Sequence, residues 1–250
     1  MKIEVLTLFP EMIGPVVHAS IVGRAIENGI LSIDVIDIRE HTRDKHNKAD
    51  DYTFGGGAGM LMMAEPVFNA LRSVGAEAKR ILYMSPKGQL LDQEMVESFS
   101  NEQDLVILCG HYEGIDQRVI DYWQIEEVSI GDYILTGGEL PALVLIDAVA
   151  RMLPDVLGSS ESHNEESIYS GLLEYPQYTK PRTYEGLSVP DVLLSGNHKM
   201  IRLWRFEESL KITKFRRPDL FRKYAAGANG LAKDEKKILD KIMAGPENGK

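Results

Sequence analysis

Five short runs of aliphatic and β-branched residues, each followed by a stretch with helical spacing, fill the first 157 residues and leave few folds open. The runs are KIEVLTLF (2–9), SIDVIDIR (32–39), RILYMSP (80–86), DLVILCG (104–110) and a last region from EEVSIG to YILTGG (126–138). Between them PVVHASIVGRAIENG, AEPVFNALRSVGA, LDQEMVESFSN and IDQRVIDYW repeat apolar residues three and four apart, and LPALVLIDAVARML follows the last run as a buried helix. Strands alternating with helices build an α/β domain with a largely parallel sheet, because a parallel neighbour is reached only through a long crossover. Asp92 is placed to cap the helix that begins at QEMV, and Gly29 to end the first helix, PVVHASIVGRAIENG.

Residues 158–171, GSSESHNEESIYSG, break this pattern: they are small, polar and acidic, with no periodicity, and read as an interdomain linker. Beyond them NHKMIRLWRFEESLKITKF, RPDLFRKYAA and AKDEKKILDKIMA read as helices of a small all-α domain over 172–250. Charge divides at the same place. The net −10 of the whole chain separates into 12 Lys/Arg against 28 Asp/Glu over 1–171 and 16 against 10 over 172–250, that is −16 and +6. A basic appendage on an acidic domain points to a polyanionic partner for the appendage.

At 44% hydrophobic and 26% charged, the 250 residues have an ordinary globular composition. The opening KIEVLTLF has neither the basic start nor the cleavage site of a secretory signal, and no window is long and apolar enough to span a bilayer. A cytoplasmic protein is expected, with no membrane partner. The lone Cys109 excludes a disulfide framework and a cysteine zinc site. His18, His41, His46, His163 and His198 have no ligand spacing, so no protein-bound metal is expected.

Glycines gather at FGGGAGM (54–60), CGHYEGID (109–116) and IGDYILTGGEL (130–140), the last two at the carboxyl ends of expected strands, where open α/β sheets bind ligands. There is no GxxxxGK[ST], and GGE puts the Glu139 carboxylate where a helix N-terminus would otherwise take a phosphate. Nor does the first βαβ unit carry a GxGxxG. A ligand with a flat base, a ribose and a cationic end fits better, and S-adenosylmethionine has those parts.

The motifs FGGGAGM, GHYEGIDQRV, SIGDYILTGGELPALVLIDAVARMLPDVLG and SGLLEYPQYTKP, in this order and spacing, closely resemble the bacterial tRNA (guanine-37-N1)-methyltransferases of the TrmD type. The resemblance implies a SPOUT fold with a deep trefoil knot, which no periodicity indicates and which general topology disfavours. It implies an S-adenosyl-L-methionine pocket of Tyr83, Ser85, Pro86, Gly110, Tyr112, Glu113, Gly114, Ile130, Gly131, Tyr133, Leu135, Gly137, Gly138 and Pro141. FGGGAGM, preceded by Asp50 and Asp51, resembles the family's region near the donor and the flipped guanine. The resemblance further implies magnesium during turnover, tRNA as substrate, and a homodimer whose sites are completed by the partner's linker and C-terminal domain.

Methyl transfer to a ring nitrogen that carries a proton needs a base for that proton and a cation for the charge that builds on the purine oxygen. The resemblance assigns these roles to Glu166 and Arg151. The family has an aspartate at the first position, followed by Ser and an aromatic residue. Here EESIYSG supplies Glu166 and Ile168, with Glu165 as a second candidate base. Lys180 in PQYTKP stands where the family commonly has arginine. In the basic region Arg202, Arg205, Lys211, Lys214, Arg216 and Arg217 alternate with Trp204, Phe206 and Phe215, as phosphate and base contacts would require, although the spacing of MIRLWRF also makes Trp204 a core residue. Three other readings are compatible with these residues: a related methyltransferase acting on ribosomal RNA, an RNA-binding relative that has lost catalysis, and a small-molecule enzyme, which leaves the basic domain unexplained.

Overall fold

The computed structural model describes residues 1–57, 59–157 and 171–245. The chain divides into two compact units, Met1–Gly158 and Ser159–Lys250.

The first unit is built on five parallel strands, β1 (Lys2–Thr7), β2 (Ser32–Asp37), β5 (Arg80–Leu90), β6 (Asp104–Cys109) and β7 (Glu126–Ser129), in the order β2-β1-β6-β5-β7. Alternate residues of β1, β5 and β6 enter two separate cores. Ile3, Val5, Leu82, Leu105 and Ile107 pack on one face with α2 (Ser20–Glu27), α4 (Gln93–Ser100) and α6 (Glu139–Met152). Leu6, Ile81, Tyr83, Val106 and Leu108 pack on the other with α3 (Ala64–Ser73) and α5 (Gln117–Trp123). A strand covered on both faces must be apolar at every position, which is why these segments read as continuous runs rather than as alternating patterns. The helix starts are locally encoded: the Asp92 carboxylate accepts the Met95 N–H at 2.9 Å, and Asp116 accepts that of Arg118 at 2.9 Å. Gly29 follows α2 with φ +70°, and the short α1 (Gly14–Val17) precedes it.

Two features depart from the sequence expectation in this unit. Residues 133–138, YILTGG, are not a strand; they form a loop of bends that meets the end of β6 through a bridge between Gly137 and His111 and through Gly138. Gly131 breaks the run with φ +150°, and the glycine pair Gly137–Gly138 has no side chains to pack on a sheet face. The second is a hairpin of β3 (Asp50–Tyr52) and β4 (Met60–Met62) around FGGGAGM, paired Asp50 to Met62.

The second unit is mainly helical, with α7 (Asp191–Leu194), α8 (His198–Arg216), α9 (Pro218–Gly227) and α10 (Lys233–Ala244). Its core gathers Leu172, Leu210, Phe221 and Leu239. Buried Thr213 on α8 donates to the Ser209 carbonyl at 2.6 Å and accepts the Leu173 N–H at 2.8 Å, tying the start of the described segment to the longest helix. The all-α expectation needs correction: Thr183–Tyr184 (β8) and Leu187–Ser188 (β9) form a small antiparallel hairpin. Glu185 and Gly186 both have positive φ, 51° and 78°, the two-residue turn whose twist suits a hairpin.

Candidate active site

A bulge within β5 and the two loops that leave the carboxyl ends of β6 and β7 surround one open cleft. All fourteen positions that the resemblance assigns to the donor line it. Each loop is bent for an identifiable reason. β5 pairs with β7 through Leu82–Met84, slips register, and pairs again at Gln89–Leu90, so Ser85–Gly88 leaves the ladder and Ser85, Pro86 and Lys87 line the cleft. At Gly138 a Cβ would stand 2.8 Å from Cys109 Cα and 2.9 Å from the Gly110 nitrogen, so only glycine lets α6 begin against the end of β6. The Gly138 N–H then donates to the Gly110 carbonyl at 2.8 Å.

The β3–β4 hairpin is clamped to the middle loop. Glu113 N–H donates to Met60 O at 3.0 Å, Met62 N–H to Gly114 O at 3.0 Å, and Asp116 N–H to Met62 O at 3.1 Å. The Glu113 carboxylate lies over Gly59, where a Cβ would meet its Oε1 at 2.5 Å. FGGGAGM is therefore held beside the cleft loop by backbone pairing, and Phe54 at its start is fully exposed. Tyr112 occupies the left-handed region at φ +58°, a conformation that costs a non-glycine residue about 1 kcal/mol or more and that the surrounding bonds impose.

The charge of the cleft suits a cation. Glu113 and Glu127 face one lysine, Lys87. Burial, and secondarily the Glu127 carboxylate, push the Tyr83 phenol up to about 12, so it stays a neutral hydrogen-bonding group through the physiological range. Glu127 Oε2 is buried and has no donor among the described residues, a deficit of about 1–3 kcal/mol that an N–H or O–H of a ligand would relieve. Cys109 is fully buried and its thiol is pushed well above its ordinary value, by burial first and by Glu139 second, which leaves it inert packing.

Lys87, His111, Glu127 and Thr136 also line the cleft, and the sequence reading had not singled them out. His111 sits between two glycines in CGHYEG and could have been found there. Glu127 had no comparable signal, because it sits inside a strand whose outward or inward face is decided by sheet order. Of the proposed catalytic pair, only Arg151 lies within the described residues. Arg151 lies half-buried in the last turn of α6, roughly 18 Å along the helix from Glu139 at 1.5 Å per residue, and is not part of the cleft lining. Glu166 and its alternate Glu165 lie outside the described residues.

In the second unit the basic side chains are largely engaged. Arg202 pairs with Glu235 at 3.7 Å, Lys211 with Glu207 and Glu208 at 3.0 and 2.8 Å, and Arg217 with Asp219 at 2.7 Å. Lys214 donates to the carbonyls of Ile242 and Gly245 at the end of α10, and the Arg205 guanidinium lies 4.7 Å over the Tyr175 ring. Trp204 is half-buried, its ring 6.5 Å from that of Tyr178, whereas Phe215 is exposed. Among the described residues no helix is long and apolar enough to cross a membrane, and no three His, Cys, Asp or Glu side chains converge as a metal site.

A protein from Alkaliphilus oremlandii named tRNA (guanine-N(1)-)-methyltransferase is 52% identical over 252 residues, covering 98% of this chain and 99% of the relative. Proteins of the same name from Ruminiclostridium cellulolyticum and Clostridium perfringens are 53% and 51% identical, over 89% and 96% of this chain and 97% and 99% of theirs. The family model described as tRNA (Guanine-1)-methyltransferase TrmD matches residues 1–223, and the chain belongs to that family.

Proposed function

We propose that this protein transfers a methyl group from S-adenosyl-L-methionine to N1 of guanine 37 in tRNA, the guanine 3′ of the anticodon, where it is preceded by G36. The observation that carries the reading is the convergence of fourteen separately placed donor positions on one acidic cleft at the carboxyl edge of a parallel sheet. The cleft fits the donor on its own evidence: Gly110 and Gly138 clear space that a Cβ would fill, Glu127 offers an unsatisfied acceptor, and carboxylates outnumber cations. Bound there, the donor supplies a methyl on a sulfonium that leaves as a neutral thioether.

The chain's own residues do the rest. Backbone groups of 110–114 and 130–138 orient the donor. Glu166, or Glu165 beside it, takes the N1 proton, and Arg151 stabilises the charge that grows on the purine oxygen. The distance of Arg151 from the cleft within one chain supports a homodimer, in which a site is completed by elements of both copies. The basic second unit is the tRNA-binding part, its exposed Phe215 and Arg216 offering stacking and charge; the expected compartment is the cytoplasm. The described residues offer magnesium no dedicated ligand set.

Purified protein, labelled donor and a transcript carrying G36 and G37 should yield N1-methylguanine at position 37, and a transcript with G37 replaced should stay unlabelled. Label appearing instead only on ribosomal RNA fragments would move the protein to a different substrate class. Donor binding without transfer to either RNA would mark a relative that has lost catalysis.

A further inference from the structure

Beneath the cleft lies a buried polar chain that the methyl-transfer scheme does not use. Glu139, the first residue of α6, is 1% exposed, and Thr7 at the carboxyl end of β1 is fully buried. The Thr7 hydroxyl accepts the Phe9 N–H at 2.9 Å and donates to Glu139 Oε1 at 2.7 Å. With its acceptor side occupied, that hydroxyl has its proton directed at the carboxylate.

The second carboxylate oxygen faces His111. Glu139 Oε2 and His111 Nδ1 both stand within 2.7 Å of the point where a Cβ on Gly137 would be, and are therefore less than twice that distance apart, within the span of one bridging water. Nδ1 is buried with no hydrogen-bond partner among the described residues, while the ring itself lines the cleft. Gly137 is the residue that keeps the space between them open. The imidazole is boxed in by Phe9, at 4.8 Å between centroids, and stands edge-on to Tyr112 at 4.7 Å, the residue whose backbone is held at positive φ.

We propose that Glu139 is a positioning residue for the donor cleft: held by Thr7, it accepts the hydrogen bond of His111 Nδ1–H through one bridging water, and so fixes the tautomer and ring orientation of His111 and the set of Tyr112 beside it. Every donor in the chain points the same way, from Phe9 N–H to Thr7 Oγ1–H and from His111 Nδ1–H, with the carboxylate as the common acceptor. The arrangement joins the end of β1, the start of α6 and the 110–114 loop through side chains that touch the cleft only at His111. Its consequence for methyl transfer rests on the reading of the cleft as the donor site, whereas the tautomer itself does not.

Nitrogen-15 spectra of the full-length protein with labelled histidine should show the His111 Nδ1 carrying a proton, and Glu139→Gln should shift its resonance as the charged acceptor is lost. Calorimetry should find donor and demethylated product both bound about tenfold more weakly by Glu139→Gln, with a smaller loss in Thr7→Val, as for groups that orient a ligand-contacting imidazole from behind. A bare His111 Nδ1 in the unmodified protein overturns the assignment without any variant. So does a folded Glu139→Gln that binds the donor as tightly as the parent. If the parent binds no donor while Nδ1 is protonated, the donor reading fails and the hydrogen-bonded chain stands.

Discussion

The two units solve the same problem, burying enough apolar surface, in opposite ways. In the first, a parallel sheet separates two cores, and the cleft loops are pinned by backbone bonds among β4, the 110–114 loop and α6. In the second, the core gathers around Leu172, Leu210, Phe221 and Leu239, and ion pairs and Lys214 at the end of α10 hold much of the surface. A catalytic cleft must hold its groups to within about 1 Å, because a misplacement of that size can cost about a hundredfold in rate. A surface that meets a phosphate backbone depends on charge, which acts at longer range and tolerates adjustment. Under the proposed function, the contrast assigns single-atom placement to the first unit and summed charge to the second.

The largest effect expected from that contrast is at the proposed base. Glu166→Gln should lower turnover by about a hundredfold or more with donor affinity unchanged, and single-turnover assays read it; if Glu165→Gln carries the loss instead, the neighbouring carboxylate is the base. Next, Gly138→Ala forces a Cβ against the backbone of Cys109 and Gly110 and should destabilise the first unit by about 1–3 kcal/mol while abolishing donor binding, measured by denaturant melts and calorimetry. Leu210→Ala should cost the second unit about 2–5 kcal/mol and impair tRNA binding with donor binding intact. Loss of donor binding in that variant would break the idea that the units divide the labour. Raising salt from 50 to 200 mM should weaken tRNA binding by at least about tenfold and leave donor affinity nearly unmoved. The smallest effect concerns Tyr83. With its phenol raised to about 12 in the folded protein against an ordinary value near 10, it contributes stability that is complete below pH 10 and is lost as pH rises toward 12. Tyr83→Phe should flatten that decline, and ultraviolet titration would locate the ionisation.

Much of the first unit was legible from the chain because its signals are local. Asp92 caps the helix it was expected to cap, and the apolar runs became the five parallel strands. YILTGG misled because an apolar triplet beside glycines has the composition of a strand, while its path is decided by φ +150° at Gly131 and by the crossing to α6. TYEGLS became a hairpin through two left-handed residues whose flanking strands, two residues each, are too short to announce themselves.

What the sequence by itself determined is the order of strands and helices, the charge division between the units, and the motif set that carries family membership, since each depends on neighbours in the chain or on residue identity alone. Only the tertiary structure decided that Glu127 turns an orphan oxygen into the cleft region, that Gly138 is a contact between α6 and β6, and that Thr7 and Glu139, 132 residues apart, meet at 2.7 Å beneath it. Those facts depend on sheet order and on helix packing across long loops, and no local propensity encodes a distance between segments that become neighbours only when the core closes.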